Sequence, residues 1–303
     1  MGLVAASMSR QLERPIVSVL VTVFNREAYL SDCLESILAS SWKDFEVVVV
    51  DDCSVDDSHA VAERHSVGDS RIRPYRNDRN LGDYPNRMRA ASLATGRYIK
   101  YVDSDDLIHP HGLGVMVEAM EKHPQAALAL SHSLPEDREP YPSMLSPRDA
   151  WIRQFLGDGC LNSGPTGAII RRDAFIEAGG FRDWGVLSDM DLWYRMAARW
   201  PVLLLQPGLV WWRRHDDQEF TKGGASMVYL EKGYQLMMES LASSDSPLTP
   251  SERKAAEFRE RQHQARRLIS LAVRRGSPLL ALRSFNRSGL SAADLVQGLR
   301  PYR

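Results

Sequence analysis

Residues 16–24 are β-branched and almost continuously apolar, the pattern of a strand covered on both faces. The period then changes. Tyr29, Leu30, Cys33, Leu34, Ile37 and Leu38 recur at helical spacing within residues 27–39, and residues 45–50 return to a fully buried strand that ends in Asp51-Asp52. Ser54-Val55-Asp56-Asp57 predicts a turn and a cap into a second helix. A strand over 71–75, a helix over 85–94 and a strand over 98–102 complete a βαβαβαβ order. Such an order implies an α/β fold: a mainly parallel, doubly wound sheet with helices on both faces.

Beyond residue 110 the pattern is less regular. A helix over 112–122, a strand over 126–130, a Pro-rich loop around 135–147 and an amphipathic piece over 148–155 precede a Gly-rich stretch, Asn162-Ser163-Gly164-Pro165-Thr166-Gly167. A strand over 168–170, a helix over 187–200 and strands over 202–205 and 209–212 follow, and from residue 221 on everything reads as helix. In open α/β sheets ligands bind beyond the carboxyl ends of the strands. Three polar clusters fall there: Thr22 to Arg26, Asp51-Asp52, and Asp103-Ser104-Asp105-Asp106.

Composition narrows the partners. The 303 residues carry a net charge of -1, which gives no bulk attraction to nucleic acid. Cys33, Cys53 and Cys160 lie far apart without CxxC spacing, and an odd number cannot pair fully, so a reducing cytoplasm is expected. No stretch approaches the roughly 20 apolar residues of a membrane span. Charge is uneven, however. From Ser251 onward arginines and lysines outnumber acids, and the apolar spacing predicts two helices joined at Gly276-Ser277-Pro278, with Ser277 capping the second. This end is expected either to pack on the rest of the chain or to touch an anionic membrane surface from the side.

Chemistry concentrates in the acidic clusters. Carboxylates crowded at 103–106 repel one another unless a cation relieves them, and Mg²⁺ or Mn²⁺ bound through one or two carboxylates plus substrate phosphates would do so; a solvated Asp-rich turn is the plainer reading. The Asp51-Asp52 pair could accept hydrogen bonds from a base or from ribose hydroxyls, or could simply close a turn. Thr22, Phe24 and Asn25 offer a hydroxyl, an aromatic face and an amide at the neighbouring strand end, suited to a planar base and its sugar; Phe24 could equally be core.

The residues Val17-Ser18-Val19-Leu20-Val21-Thr22-Val23-Phe24-Asn25, Phe45 to Asp57, Asn80-Leu81-Gly82 and Gly96 to Asp106 resemble, in order and spacing, the family 2 glycosyltransferases of GT-A fold. The resemblance extends to about Asp217. It implies a nucleotide-binding half over 15–110 and an acceptor half over 111–220, between a tail over 1–14 and a basic helical extension over 221–303. It further implies that Thr22, Phe24 and Asp52 contact the donor's base, with Asp51 nearby, and that Asp103 and Ser104 face its ribose or sugar. Asp105 would be the direct metal ligand, with Asp106 in support. Asn80 and Gly82 match the loop that passes the nucleotide, and Arg87 or Arg79 would reach the diphosphate.

In the second half, Gly179-Gly180-Phe181 and Leu187-Ser188-Asp189 look like the family's second signature, with Ser188 where Glu is usual. Asp189 is then the catalytic base, while Asp191 is expected to serve structure through Arg195 at i,i+4. Arg213-Arg214-His215 resembles the family's basic segment, whose His contacts the metal or the diphosphate. The Gln-x-x-Arg-Trp pattern of processive synthases is absent, so one sugar per reaction is expected. The resemblance thus implies a metal-dependent inverting transferase, using a nucleotide sugar, most often of UDP, and a glycan or lipid-linked hydroxyl in bacterial surface polysaccharide assembly. A nucleotidyltransferase would need a Gly- and Arg/Lys-rich phosphate loop after the first strand, and residues 22–27 contain no glycine. A sugar-nucleotide-binding module without turnover draws support only from Ser188.

Overall fold

The computed structural model describes residues 14–131, 139–215 and 225–299. The expected N-terminal tail, the start of the Pro-rich loop and the 220/221 boundary lie outside the described residues.

The nucleotide half runs β1 (Val17–Val23), α1 (Glu27–Leu38), β2 (Phe45–Asp51), α2 (Ser58–Gly68), β3 (Ile72–Arg76), α3 (Asp83–Leu93) and β4 (Tyr98–Tyr101). The second half runs β5 (Leu107–Ile108), α4 (Gly112–Lys122), β6 (Leu128–Ser131), β7 (Ser143–Leu145), α5 (Pro147–Leu156), β8 (Ala168–Arg171), α6 (Arg172–Glu177), α7 (Ser188–Arg199), β9 (Val202–Leu205) and β10 (Val210–Trp211). Four helices close the described chain: α8 (Ala225–Ala242), α9 (Pro250–Val273), α10 (Pro278–Ser288) and α11 (Ala292–Gly298).

Among the described residues the strands form one sheet in the order β3-β2-β1-β4-β8-β6-β9-β7, with β10 and β5 as a separate antiparallel pair. The ladders β1/β2, β2/β3, β1/β4 and β6/β9 are parallel, whereas β8 runs against β4 and β6, and β7 against β9. The fold is therefore mixed α/β, with the parallel part concentrated in the nucleotide half. Successive strand residues face opposite sides, and both sides are covered. Leu20, Val48, Val50, Ile99 and Tyr101 pack with α3, α5 and α7, while Val19, Val21, Val47 and Val49 pack with α1, α2 and α4. That double burial explains why β1 and β2 read as continuous apolar runs.

Short elements escaped the sequence pattern: β5 is a two-residue strand, β7 is an edge strand of three residues inside the Pro-rich stretch, and α6 is a helix of six residues. The two expected C-terminal helices are present as α9 and α10, but the Ser277 side chain makes no capping hydrogen bond. Likewise, α2 begins at Ser58, where Asp56 Oδ1 accepts from its amide at 3.0 Å; Ser54 does not cap it.

Candidate functional site

The strand order reverses at β1: β2 and β3 lie to one side, β4 to the other. At such a switch point the loops leaving the strands part and open a crevice. The three polar clusters meet there, at the carboxyl ends of β1, β2 and β4.

The β1 and β2 ends are locked to each other. Asn25 and Cys53 both adopt left-handed backbone (φ 54° and 62°), which non-glycine residues hold only where the surroundings fix them. The fixing bonds are local: Asn25 N donates to Ser54 Oγ (2.9 Å) and Asn25 Oδ1 accepts from Val55 N (2.9 Å). The Asn25 amide is thus spent on the neighbouring loop. Phe24 beside it is 45% exposed, so its ring is a free face at the crevice and not core. Thr22 is partly buried on the same strand.

Asp51 and Asp52 are both buried. Asp51 accepts from Ser54 N and meets Arg76 Nε at 3.3 Å. Asp52 organises the next loop: it accepts from Asn77 Nδ2 (2.8 Å), Leu81 N (2.8 Å) and Gly82 N (2.9 Å), while Asn80 donates to its carbonyl. Gly82 turns there with φ 90° into the start of α3. Of the two roles the sequence leaves open to these carboxylates, ligand contact or turn closure, the fold shows the second: most of their accepting capacity is used by the chain.

Arg87 on α3 is 7% exposed and joins Asp83 and Asp103, each at 2.8 Å, with its guanidinium over the Tyr84 and Tyr101 rings. Asp83 and Asp103 hold its charge firmly against burial. Arg79 stands on the exposed loop ahead of α3.

In the acidic turn after β4, Asp103 N donates to Thr166 Oγ1 (3.0 Å) and Asp106 N to Asp103 O (2.8 Å). Ser104 is 5% exposed, so little of it faces the crevice. One Asp105 oxygen meets both Arg26 Nε at 3.1 Å and His215 Nε2 at 2.9 Å. His215 is carried there by the β5/β10 pair and stacks on Tyr29 (centroids 4.7 Å apart). Arg213 binds the same turn, through N to Asp106 Oδ1 and Nε to Asp105 O. Asp106, buried and repelled by Asp103, has its carboxyl pushed up to about 7. Beneath the turn lies Lys100, fully buried, donating to the carbonyls of Tyr101 and Thr166. Burial lowers it to about 7, against the pull of Asp103 and Asp106. From the sequence, Arg26 enters only as the end of the first polar cluster and Thr166 only within the Gly-rich stretch, and nothing in the spacing of Lys100 marks it.

Among the described residues no three His, Cys, Asp or Glu form a metal cage. Mg²⁺ and Mn²⁺ do not require one, since they bind through one or two carboxylates completed by substrate phosphates and water. Asp105 and His215 are already in contact, and Asp106, raised by burial and then by the charge of Asp103 and Asp105, lies in a turn whose crowded carboxylates a divalent cation would relieve. The donor set fits such an ion.

Asp189 lies at the start of α7, partly buried, with Oδ1 accepting from Met190 N at 2.7 Å. Burial pushes its carboxyl up to about 7; Arg87 pulls down and Asp103 pushes up, which puts Asp189 within electrostatic reach of the acidic turn. Ser188 is fully buried, donating to Gly185 O and accepting from Trp184 N, so it closes the turn that launches the helix. Asp191 pairs with Arg195 at 2.7 Å, as i,i+4 spacing predicted, and Arg195 also holds the Gly180 carbonyl at 2.6 Å. Phe181 then packs edge-on against Tyr84, Tyr101, Phe175 and Trp193, tying α7 to α3 and β4.

The model of the family described as glycosyl transferase family 2 matches residues 18–179, more than half of the chain. The chain belongs to that family. It is similar, at 34% identity over 93 residues, to a putative teichuronic acid biosynthesis glycosyltransferase, TuaG, of Bacillus subtilis; the match covers 31% of this chain and 37% of that one. Among solved structures it resembles S. aureus TarS residues 1–349 in complex with UDP-GlcNAc (TM-score 0.66, 18% identity, 94% of this chain and 81% of that one). It also resembles a mannosyltransferase from Pyrobaculum calidifontis in complex with GDP-Man and Mn²⁺ (TM-score 0.58, 17% identity, 95% and 86%). At these identities the likeness establishes the GT-A fold. As a family 2 glycosyltransferase the chain is an enzyme of sugar transfer, and the crevice at the β1/β4 switch point is its candidate donor site.

Proposed function

We propose that this glycosyltransferase moves one sugar from a UDP-sugar to a hydroxyl of a glycan or lipid-linked acceptor, with inversion at the anomeric carbon and with Mn²⁺ or Mg²⁺ as cofactor. The observation that carries the reading is the position of Asp189, a raised carboxyl within electrostatic reach of both Arg87 and Asp103. A base must stand beside the donor's sugar, and its pKa should lie near the working pH. The raised carboxyl of Asp189, coupled to Arg87 and Asp103, supports that role.

In this reading Phe24 stacks on the base with Thr22 beside it, and the loop organised by Asp52, with Asn80 and Gly82, passes the nucleotide. Asp103, set by Arg87, faces the ribose or sugar. Asp105 and His215 would hold the divalent ion, which when bound supplies positive charge against the diphosphate. Arg26 and Arg213 flank the same turn and add positive charge there. Asp189 takes the proton from the acceptor hydroxyl as its oxygen attacks from the face opposite the nucleotide. UDP is favoured by the UDP-GlcNAc complex of the TarS neighbour, and surface polysaccharide assembly by the name of the Bacillus relative. The free thiols of Cys33, Cys53 and Cys160 accord with a cytoplasmic site of action. No helix among the described residues is long and apolar enough to cross a membrane; exposed Leu279 and Leu282 beside Arg283 on α10 would give a peripheral contact with its inner face.

The test is a panel of UDP-, GDP- and dTDP-sugars assayed for nucleotide release with and without Mn²⁺, alongside Asp105→Ala and Asp189→Asn. Release from one UDP-sugar that depends on Mn²⁺ and falls at least tenfold in both variants is expected. Metal-independent turnover, or full activity in Asp189→Asn, overturns the mechanism.

A further inference from the structure

A groove of about 560 Å³ separates α5 and α7 from α8 and α9. Its volume suits a ligand of one or two sugar rings. Met190, Tyr194 and Tyr229 line the end nearest the candidate base. Met190 follows Asp189 directly, and the phenols of both tyrosines are raised chiefly by burial, with the charge of Asp189 adding to it. Through Met190 this end of the groove adjoins the start of α7, where Asp189 lies.

The far wall is basic. Arg259, His263 and Arg267 recur at i,i+4 spacing along one face of α9, and Arg275 lies just past its end. Arg259 is committed to the carbonyls of Leu156 and Gly157 at the end of α5. Arg267 and Arg275 are exposed, and among the described residues neither forms a salt bridge. The acids of the groove only partly offset them: Asp158 lies beside Arg153, and Glu260 is buried, its carboxyl pushed up by that burial although Arg267 and Arg259 pull it down. His263 senses the result. Burial, Arg259, Arg267 and Arg266 together push it down to about 4, so it stays neutral and the wall keeps its charge on arginine alone. Guanidinium forks match phosphate and carboxylate in two parallel hydrogen bonds.

We propose that this groove is the acceptor site and that it selects an acceptor carrying an oxyanion, a phosphate or a carboxylate, near the hydroxyl that is glycosylated. The inference rests on Asp189 being the base. Arg267 and Arg275 are then specificity determinants supplied by the helical extension, which the sequence alone had assigned only to packing or to a membrane.

The test uses full-length protein saturated with UDP and Mn²⁺, so that the donor site is filled. Binding of two matched pairs, glucose 6-phosphate against glucose and glucuronate against glucose, is measured by calorimetry or saturation-transfer NMR. At least one anionic member should bind tenfold or more tightly than glucose; which one it is separates phosphate from carboxylate. The preference should vanish in Arg267→Ala/Arg275→Ala, return in part in the double lysine variant, and leave UDP affinity unchanged throughout. Equal binding of charged and neutral members, binding of none, or a preference that survives the double alanine variant overturns the proposal while leaving the donor reading intact. Failure of the parent protein to bind UDP overturns the donor reading, and this one with it.

Discussion

Asp189 binds its proton more tightly in the folded chain than an unfolded aspartate does, because burial raises its carboxyl to about 7. The stability it contributes is therefore full below the ordinary aspartate pKa and is lost as pH climbs towards 7. Asn at this position suffers no such loss. The melting temperature of Asp189→Asn relative to the parent should accordingly increase between pH 4 and pH 8, followed by thermal unfolding at each pH. Transfer by the parent should climb through pH 7, and the variant should lose roughly 10²–10⁴-fold in rate; a flat pH-rate profile would contradict the role of base. Residue chemistry in the sequence marked the three clusters that the fold brings together but not each side chain's occupation. Asn25 and Asp52 have suitable groups for a nucleotide, yet Val55, Leu81 and Gly82 already hold them. A sequence displays what a side chain can bond, not which bonds folding has taken. Ser188 is the reverse case: its departure from the family pattern looked functional, and the fold uses it to close a turn.

Elements were legible where one physical rule dominated. The strands β1, β2 and β4 are buried on both faces and end in polar clusters, so periodicity alone located the crevice. β7 and α6 were not legible: a three-residue edge strand and a six-residue helix owe their existence to β9 and β8 beside them, and carry no period of their own. The Gly179-Gly180 pair shows how an element junction becomes sensitive. Gly180 sits at φ 63°, and an added Cβ would come within 2.6 Å of the Met88 sulfur, just where Phe181 enters its aromatic cluster. Gly180→Ala should cost about 1–3 kcal/mol from left-handed backbone and overpacking, measured by urea denaturation. Met88→Ala in the same background should recover the packing part and leave the backbone part.

Across the whole molecule, the extension is no appendage. Leu236, Met237 and Leu241 of α8 and Ala256 of α9 belong to the same core as β4, β8 and α7, and Arg148 pairs with Glu252 across the junction. A chain ended at residue 220 should lose cooperative unfolding and near-UV circular dichroism, whereas an independent module would be removed without effect.

Lys100 and the acidic turn above it carry a last consequence, one of inheritance. The fully buried Lys100 amine donates to the Tyr101 and Thr166 carbonyls, while Asp103 and Asp106 favour its charge against burial, and removing it leaves those carbonyls without their donor and the aspartates without its charge, at a penalty of roughly 1–3 kcal/mol. Lys100→Met should therefore lower the melting temperature sharply, and Lys100→Met/Asp106→Asn should restore much of it. Mutation then reaches this corner of the protein only in pairs: descendants of the chain that abandon the lysine should be found to have surrendered an aspartate as well.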